Sequence, residues 1–166
     1  MRRLPILKTF TSILFALSIL TFFFGIPFLL IALIMPDAIP FKINGQPATE
    51  LTALQLILAF ICSAGIGFFV YALYLFRQVL TLFEKNKIFD DAVIKNFDYM
   101  GKAILTGFVI CFSTGLIYNF TDGTVSIELD QILKSVLIIC AGLFFLVFSS
   151  VLKRGKNLKE ENDLTV

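Results

Sequence analysis

Histidine and tryptophan are both absent from this 166-residue chain, cysteine occurs three times, and charged residues make up 16% of the sequence. Without histidine there is no Ser–His or Cys–His nucleophile pair, no imidazole metal ligand and no imidazole pH switch. Cys62, Cys111 and Cys140 have no CxxC spacing and each falls in an apolar stretch, so they read as small polarisable packing residues. Soluble domains carry about 25% charged residues. The shortfall here, beside 58% apolar residues, puts the chain in the membrane class.

The runs that lack charge say where it crosses. Residues 9–36, 51–76, 103–121 and 135–152 contain no Asp, Glu, Lys or Arg. Each is near the roughly 20 residues that a helix rising 1.5 Å per residue needs to span hydrocarbon. Residues 9–36 hold 17 Leu, Ile or Phe, each favouring the bilayer by roughly 0.3 to 0.6 kcal/mol. A cleavable signal peptide is the rival reading, because Arg2, Arg3 and Lys8 resemble its basic leader. The apolar run is about twice the usual length and lacks a small-residue cleavage site, so it is read as a retained first span.

Cations set the orientation. Arg2, Arg3, Lys8, Arg77, Lys85, Lys87, Lys95, Lys102, Lys153, Arg154, Lys156 and Lys159 fall on one side of a four-span arrangement, and only Lys42 and Lys134 on the other. The positive-inside rule then predicts an all-α membrane protein with four transmembrane helices, N-in/C-in, and both termini in the cytoplasm. The predicted spans are about 9–35, 51–76, 102–120 and 133–152, within a single domain, 1–166. A basic face of this kind meets anionic lipid headgroups, so direct nucleic acid binding is not expected. With no tryptophan, Tyr71, Tyr74, Tyr99 and Tyr118 are the residues left to form the interfacial belt.

Finer features follow the same logic. Pro27, two residues after Gly25, removes a helical donor and predicts a static bend in the first span. Small residues at four-residue spacing, Ser63 and Gly67 in span two and Gly107, Cys111 and Gly115 in span three, predict close packing between those spans; a homo-oligomer interface is the weaker reading. In the outer loops, residues 41–46 alternate apolar and polar before the turn signal Asn44-Gly45, and residues 124–130 alternate likewise. Two short β-strands, one from each loop, are expected to pair. Asn119-Phe120-Thr121 matches a glycosylation sequon but lies against the membrane surface. On the inner side the apolar stripe Phe76, Leu80, Phe83 continues past Arg77, and Val93, Ile94, Phe97, Met100 and Gly101 start another. Helices two and three therefore extend into a cytoplasmic helical hairpin over 77–101, with Asp90 as the N-cap of its second arm.

The pair "IFDDAVIKNFDYMG" and "GKNLKEENDLTV" carries a resemblance. Phe89, Asp90, Ile94, Lys95, Phe97 and Gly101 are similar to the middle-loop signature of the bacterial family catalogued as domain of unknown function 2975. Gly155, Leu158, Glu161, Asn162, Leu164, Thr165 and Val166 resemble its C-terminal signature. Asp90 stands where Ser or Thr is common, and Val93 where Asn is frequent. The resemblance implies a multi-pass protein of the bacterial cytoplasmic (inner) membrane, often encoded beside a short Cro-like helix-turn-helix regulator, and it implies no chemistry.

The residues themselves point to none either. No nucleophile has a base beside it, no spacing suits a metal, and no glycine-rich loop suits a phosphate, so no enzyme, cofactor or metal site is expected. No charge lies deep within a span, which disfavours an ion-coupled carrier. What remains is the basic-then-acidic tail, residues 153–166, ending on Leu164 and Val166 around Thr165. It is expected either to be a solvated anchor or to dock on the hairpin or on a partner. The leading expectation is that the hairpin and tail bind the helix-turn-helix regulator and hold it from DNA. The resemblance and the charge pattern together nominate Arg77, Lys85, Lys87, Phe89, Lys95, Phe97, Arg154, Leu158, Glu160, Glu161, Asn162, Leu164 and Val166 as the contact residues. The alternatives are an accessory subunit of a transporter or envelope complex and a small pore-forming oligomer.

Overall fold

The computed structural model describes residues 3–35, 42–43, 46–47, 52–121 and 129–164. Four long helices dominate it: α1 (Arg3–Ile34), α2 (Ala53–Glu84), α3 (Asp91–Thr121) and α4 (Leu129–Leu164). All four are long and apolar enough to cross a membrane. At 1.5 Å per residue the shortest, 31 residues, is roughly 46 Å long, against about 30 Å of hydrocarbon. Two two-residue strands, β1 (Lys42–Ile43) and β2 (Gln46–Pro47), pair antiparallel within the connection from α1 to α2. This pairing is local to one connection. The expected partner strand at 124–130 has its first five residues outside the described set, and Leu129 and Asp130 open α4.

Helices pack in chain order, α1 on α2, α2 on α3 and α3 on α4, and contacts outside that order are marginal. Lys8 of α1 reaches Glu84 of α2, and Lys156 of α4 reaches Asp91 of α3. The start of α1, the α2–α3 connection and the finish of α4 therefore share one end of the bundle, called here the termini end. The core lies toward this end, where Leu75, Val79, Val93, Ile94, Phe97, Met100 and Leu152 are buried together. Ser149 Oγ donates to the Ile94 carbonyl at 2.8 Å inside that core, tying α4 to α3.

Side-chain hydroxyls elsewhere satisfy themselves on their own helix. Thr11, Ser18, Thr21, Thr114 and Ser135 each donate to the carbonyl four residues earlier, which lets them sit in lipid-facing helices without a partner. The helix α1 continues through Pro27.

Close helix packing falls on glycines, with one correction to the expected faces. A Cβ on Gly107 would lie 2.8 Å from the Gly65 carbonyl oxygen, and one on Gly65 would lie 2.7 Å from Cys111 Sγ. The α3 face is the expected one at Gly107 and Cys111, but the α2 face is Gly65. Gly67 instead meets Phe22 of α1 at 3.4 Å, Ser63 lines a groove toward α1, and nothing lies within 4 Å of a Cβ on Gly115. Two residues along a helix turn the side chain by about 200°, so Gly65 and Gly67 look to opposite neighbours. A second contact, not foreseen, joins α3 to α4: a Cβ on Gly101 would lie 2.7 Å from the Gly142 carbonyl oxygen.

The segment after the fourth expected span keeps the helical backbone. The helix α4 runs without interruption to Leu164, so the charged segment is a continuation of the helix rather than a loose tail. Lysine, glutamate and leucine are good helix formers, and Lys156 and Glu160 add an i, i+4 pair at 3.6 Å.

Candidate functional site

The termini end is shaped by how α2 stops and α3 starts. Lys87 N–H donates to the Leu82 carbonyl at 3.1 Å and Asn86 N–H to the Phe83 carbonyl at 3.0 Å. With Asn86 at φ 58° in the left-handed region, this is a Schellman stop in which asparagine takes the position that glycine usually fills. Four residues later comes Asp90, and α3 begins at the next residue. Asp90 Oδ1 accepts from Ala92 N–H at 2.9 Å, so Asp90 caps the helix as its position predicts. Lys87 Nζ is 3.9 Å from Asp90, an ion pair across the turn.

Helix α4 packs against this turn. A Cβ on Gly155 would lie 3.1 Å from Phe89 Cε1, so the absence of a side chain at 155 leaves room for the Phe89 ring. One residue on, Lys156 Nζ donates to Asp91 Oδ2 at 2.7 Å, with its own side chain 24% exposed. The Lys156 ammonium holds the Asp91 carboxyl below its ordinary range, aided by Lys95 and Lys153. Asp91 in turn raises the Lys156 ammonium above its usual range. Both contacts escaped the sequence reading. Gly155 was the available signal, since a glycine inside a run of good helix formers marks a close approach.

The nominated residues divide accordingly. Lys85, Lys87, Phe89 and Lys95 gather at the α2–α3 turn, and Arg154, Leu158, Glu160, Glu161 and Asn162 line the adjoining exposed stretch of α4. Phe97 does not belong with them: it is 4% exposed, stacks on Phe145 at 5.9 Å and meets Phe148 edge-on at 4.9 Å. Its place on the apolar stripe with Val93, Ile94 and Met100 turns it inward, so it is a core residue and not a surface anchor. Arg77 also stands apart, with its guanidinium 6.0 Å from the Phe15 ring on the α1 side. Leu164 lies in the last turn of α4, and Val166 falls outside the described residues.

On the surface that remains, Ile88 and Phe89 are each 40% exposed and Leu158 is 66% exposed. Lys85, Lys95 and Arg154 are exposed beside them and have no ion-pair partner among the described residues. No group of His, Cys, Asp or Glu suited to a metal ion occurs among the described residues. The arrangement offers apolar contact ringed by cations, with an acidic helix end alongside. No curated protein matches the chain, and no solved structure does. The model of the family described as a protein of unknown function, DUF2975, matches residues 12–166, from within α1 to the last residue, and the chain belongs to that family.

Proposed function

We propose that the chain is a bacterial inner-membrane protein whose termini end lies in the cytoplasm, docks a small helix-turn-helix regulator and keeps it from DNA. The orientation is supported by the distribution of cations, most of which fall at the termini end. The helices exceed the hydrocarbon thickness, which supports α2 beyond Phe76 and α3 before Lys102 projecting past the lipid.

One observation carries the docking: the exposed step of Ile88 and Phe89 shares its turn with Lys85 and packs against Gly155, next to Arg154, two exposed cations with no ion-pair partner among the described residues. An aromatic anchor ringed by charge favours steered, specific protein contact. Glu160 and Glu161, exposed near the end of α4, suit the basic surface with which a DNA-binding protein meets phosphate.

Membrane vesicles bearing the full chain are expected to retain a small helix-turn-helix regulator of the kind that the resemblance implies. A chain cut after Asn157 keeps Gly155 and Lys156, and so keeps the packing of α4 on the turn. It loses Leu158 and the acidic end, and retention should fall with it. Phe89→Ser and the Lys85→Glu, Lys87→Glu double variant should release the regulator too, while Arg77→Gln should not. Equal retention by all of these, or none by the full chain, sinks the reading.

A further inference from the structure

Helix α1 is held differently from the other three. Between it and α2 runs a groove of about 590 Å³, lined by Ser18, Phe22, Gly25 and Leu29 on one side and Ala59, Cys62, Ser63, Val70 and Leu73 on the other, among others. That volume lies in the range, roughly 300–1,000 Å³, of sites that hold a small molecule. Only α1 and α2 line it, so its remaining side opens to the lipid.

The groove asks for hydrocarbon. Its hydroxyls are already satisfied: Ser18 donates to the Leu14 carbonyl, Thr21 to Leu17 and Ser63 to Phe60. A polar ligand would find no free donor there, and an alkyl chain displaces no hydrogen bond. From Ala59 to Leu73 it runs about 21 Å along α2, somewhat more than the roughly 15 Å of one hydrocarbon leaflet.

A charge stands at one mouth. Arg77 lies one helical turn beyond Leu73, exposed, with its guanidinium 6.0 Å from the Phe15 ring and no acidic partner among the described residues. Tyr74 packs on the same ring, centroids 5.8 Å apart, and Tyr71 stacks on Tyr74 at 6.5 Å. Aromatic rings of this kind belong at headgroup depth. Lys8, across the seam on α1, is taken up by Glu84 at 2.6 Å, so among the described residues of the α1–α2 seam Arg77 is a cation without an acidic partner.

We propose that the α1–α2 groove is a binding site for one anionic phospholipid, with an acyl chain along Ser18, Gly25 and Ser63 and the phosphate at Arg77. The bulk bilayer solvates α1 without selecting a headgroup; this site selects one, because a chain-shaped slot and a lone guanidinium lie in line. It also explains why Arg77 is set apart from the cations of the α2–α3 turn. The proposal stands independently of regulator docking.

The test uses the full chain purified in neutral detergent and titrated with phosphatidylglycerol or with phosphatidylcholine of the same acyl chains. Bound lipid is counted by native mass spectrometry, and thermal midpoints are read alongside. Wild type should retain one phosphatidylglycerol about fivefold more tightly than phosphatidylcholine, the discrimination of one interfacial arginine. Arg77→Gln should abolish that preference and Arg77→Lys should keep most of it. Gly25→Phe points into open space, since nothing lies within 4 Å of a Cβ there, and should fill the slot and remove retention of both lipids. Equal affinity of wild type for the two lipids overturns the site, and so does an unchanged preference in Arg77→Gln. Far-ultraviolet circular dichroism checks that Gly25→Phe still folds, and Arg77→Gln decides the matter if it does not.

Discussion

Asp91 and Lys156 join the first turn of α3 to the charged stretch of α4 at 2.7 Å. The pair has a sign that can be read from pH. The Asp91 carboxyl is held below its ordinary range, so its contribution is present above that range and is lost only as pH falls through the lowered value. The Lys156 ammonium is raised, so its contribution is present at and below the ordinary lysine range and is lost as pH rises through the raised value. The contact of α4 with the α2–α3 turn should therefore hold from about pH 5 to 9. The midpoint of unfolding by denaturing detergent, followed by circular dichroism, should stay level across that window and fall outside it. The reversed pair Asp91→Lys, Lys156→Asp should be more stable than either single change.

The Phe97 ring lies between Phe83, Phe145 and Phe148. Truncation to alanine should destabilise the chain by about 3–5 kcal/mol, the usual cost of removing a buried aromatic side chain. Phe89→Ala, at a position 40% exposed, should cost far less. Unfolding by added denaturing detergent, followed by circular dichroism, separates the two. A small effect of Phe97→Ala on the midpoint would return that ring to the surface.

Glycine positions supply a paired comparison. Gly107→Ala drives a Cβ to 2.8 Å from the backbone oxygen of Gly65, and backbone cannot step aside as a flexible side chain can. Gly115→Ala on the same helix meets nothing within 4 Å. The first should lower the thermal midpoint, and the second should leave it unchanged or raise it slightly by helix propensity.

Asn86, at φ 58°, ends α2 in the left-handed region. Asn86→Gly should be neutral or mildly stabilising, and Asn86→Val should cost about 1–2 kcal/mol. The same denaturation assay reads both.

Much of this fold is visible in the order of residues, and what is hidden is hidden for identifiable reasons. Four charge-free runs mark four helices because charge is the one thing that hydrocarbon rejects. Asp90 betrays the start of α3 because capping is local chemistry. The contact face of α2 around its glycines is illegible because residues 53–76 carry no charge, so polarity there does not tell Gly65 from Gly67. The charged end of α4 reads as a tail because seven charged side chains suggest solvent, yet solvation and helix are compatible when lysine and glutamate alternate by turns. Phe97 looks like an anchor in sequence because its stripe is plain; what the stripe faces is a tertiary fact. Arg77 is counted with the other cations on sidedness alone, and only the α1–α2 packing separates it from them.

Helix α3 touches both of its neighbours backbone to backbone, through Gly65 and Gly107 on one flank and Gly101 and Gly142 on the other. Between α1 and α2 the corresponding space holds cavities of about 590, 520 and 500 Å³. A further cavity of about 440 Å³ lies among α2, α3 and α4, around Cys62, Cys111, Gly115 and Ser135. Filling is thus uneven: the three helices are pinned to one another at their glycine contacts, whereas α1 rests on α2 beside the larger open volumes. A change in bilayer thickness should displace α1 more readily than α3, which is gripped on both flanks.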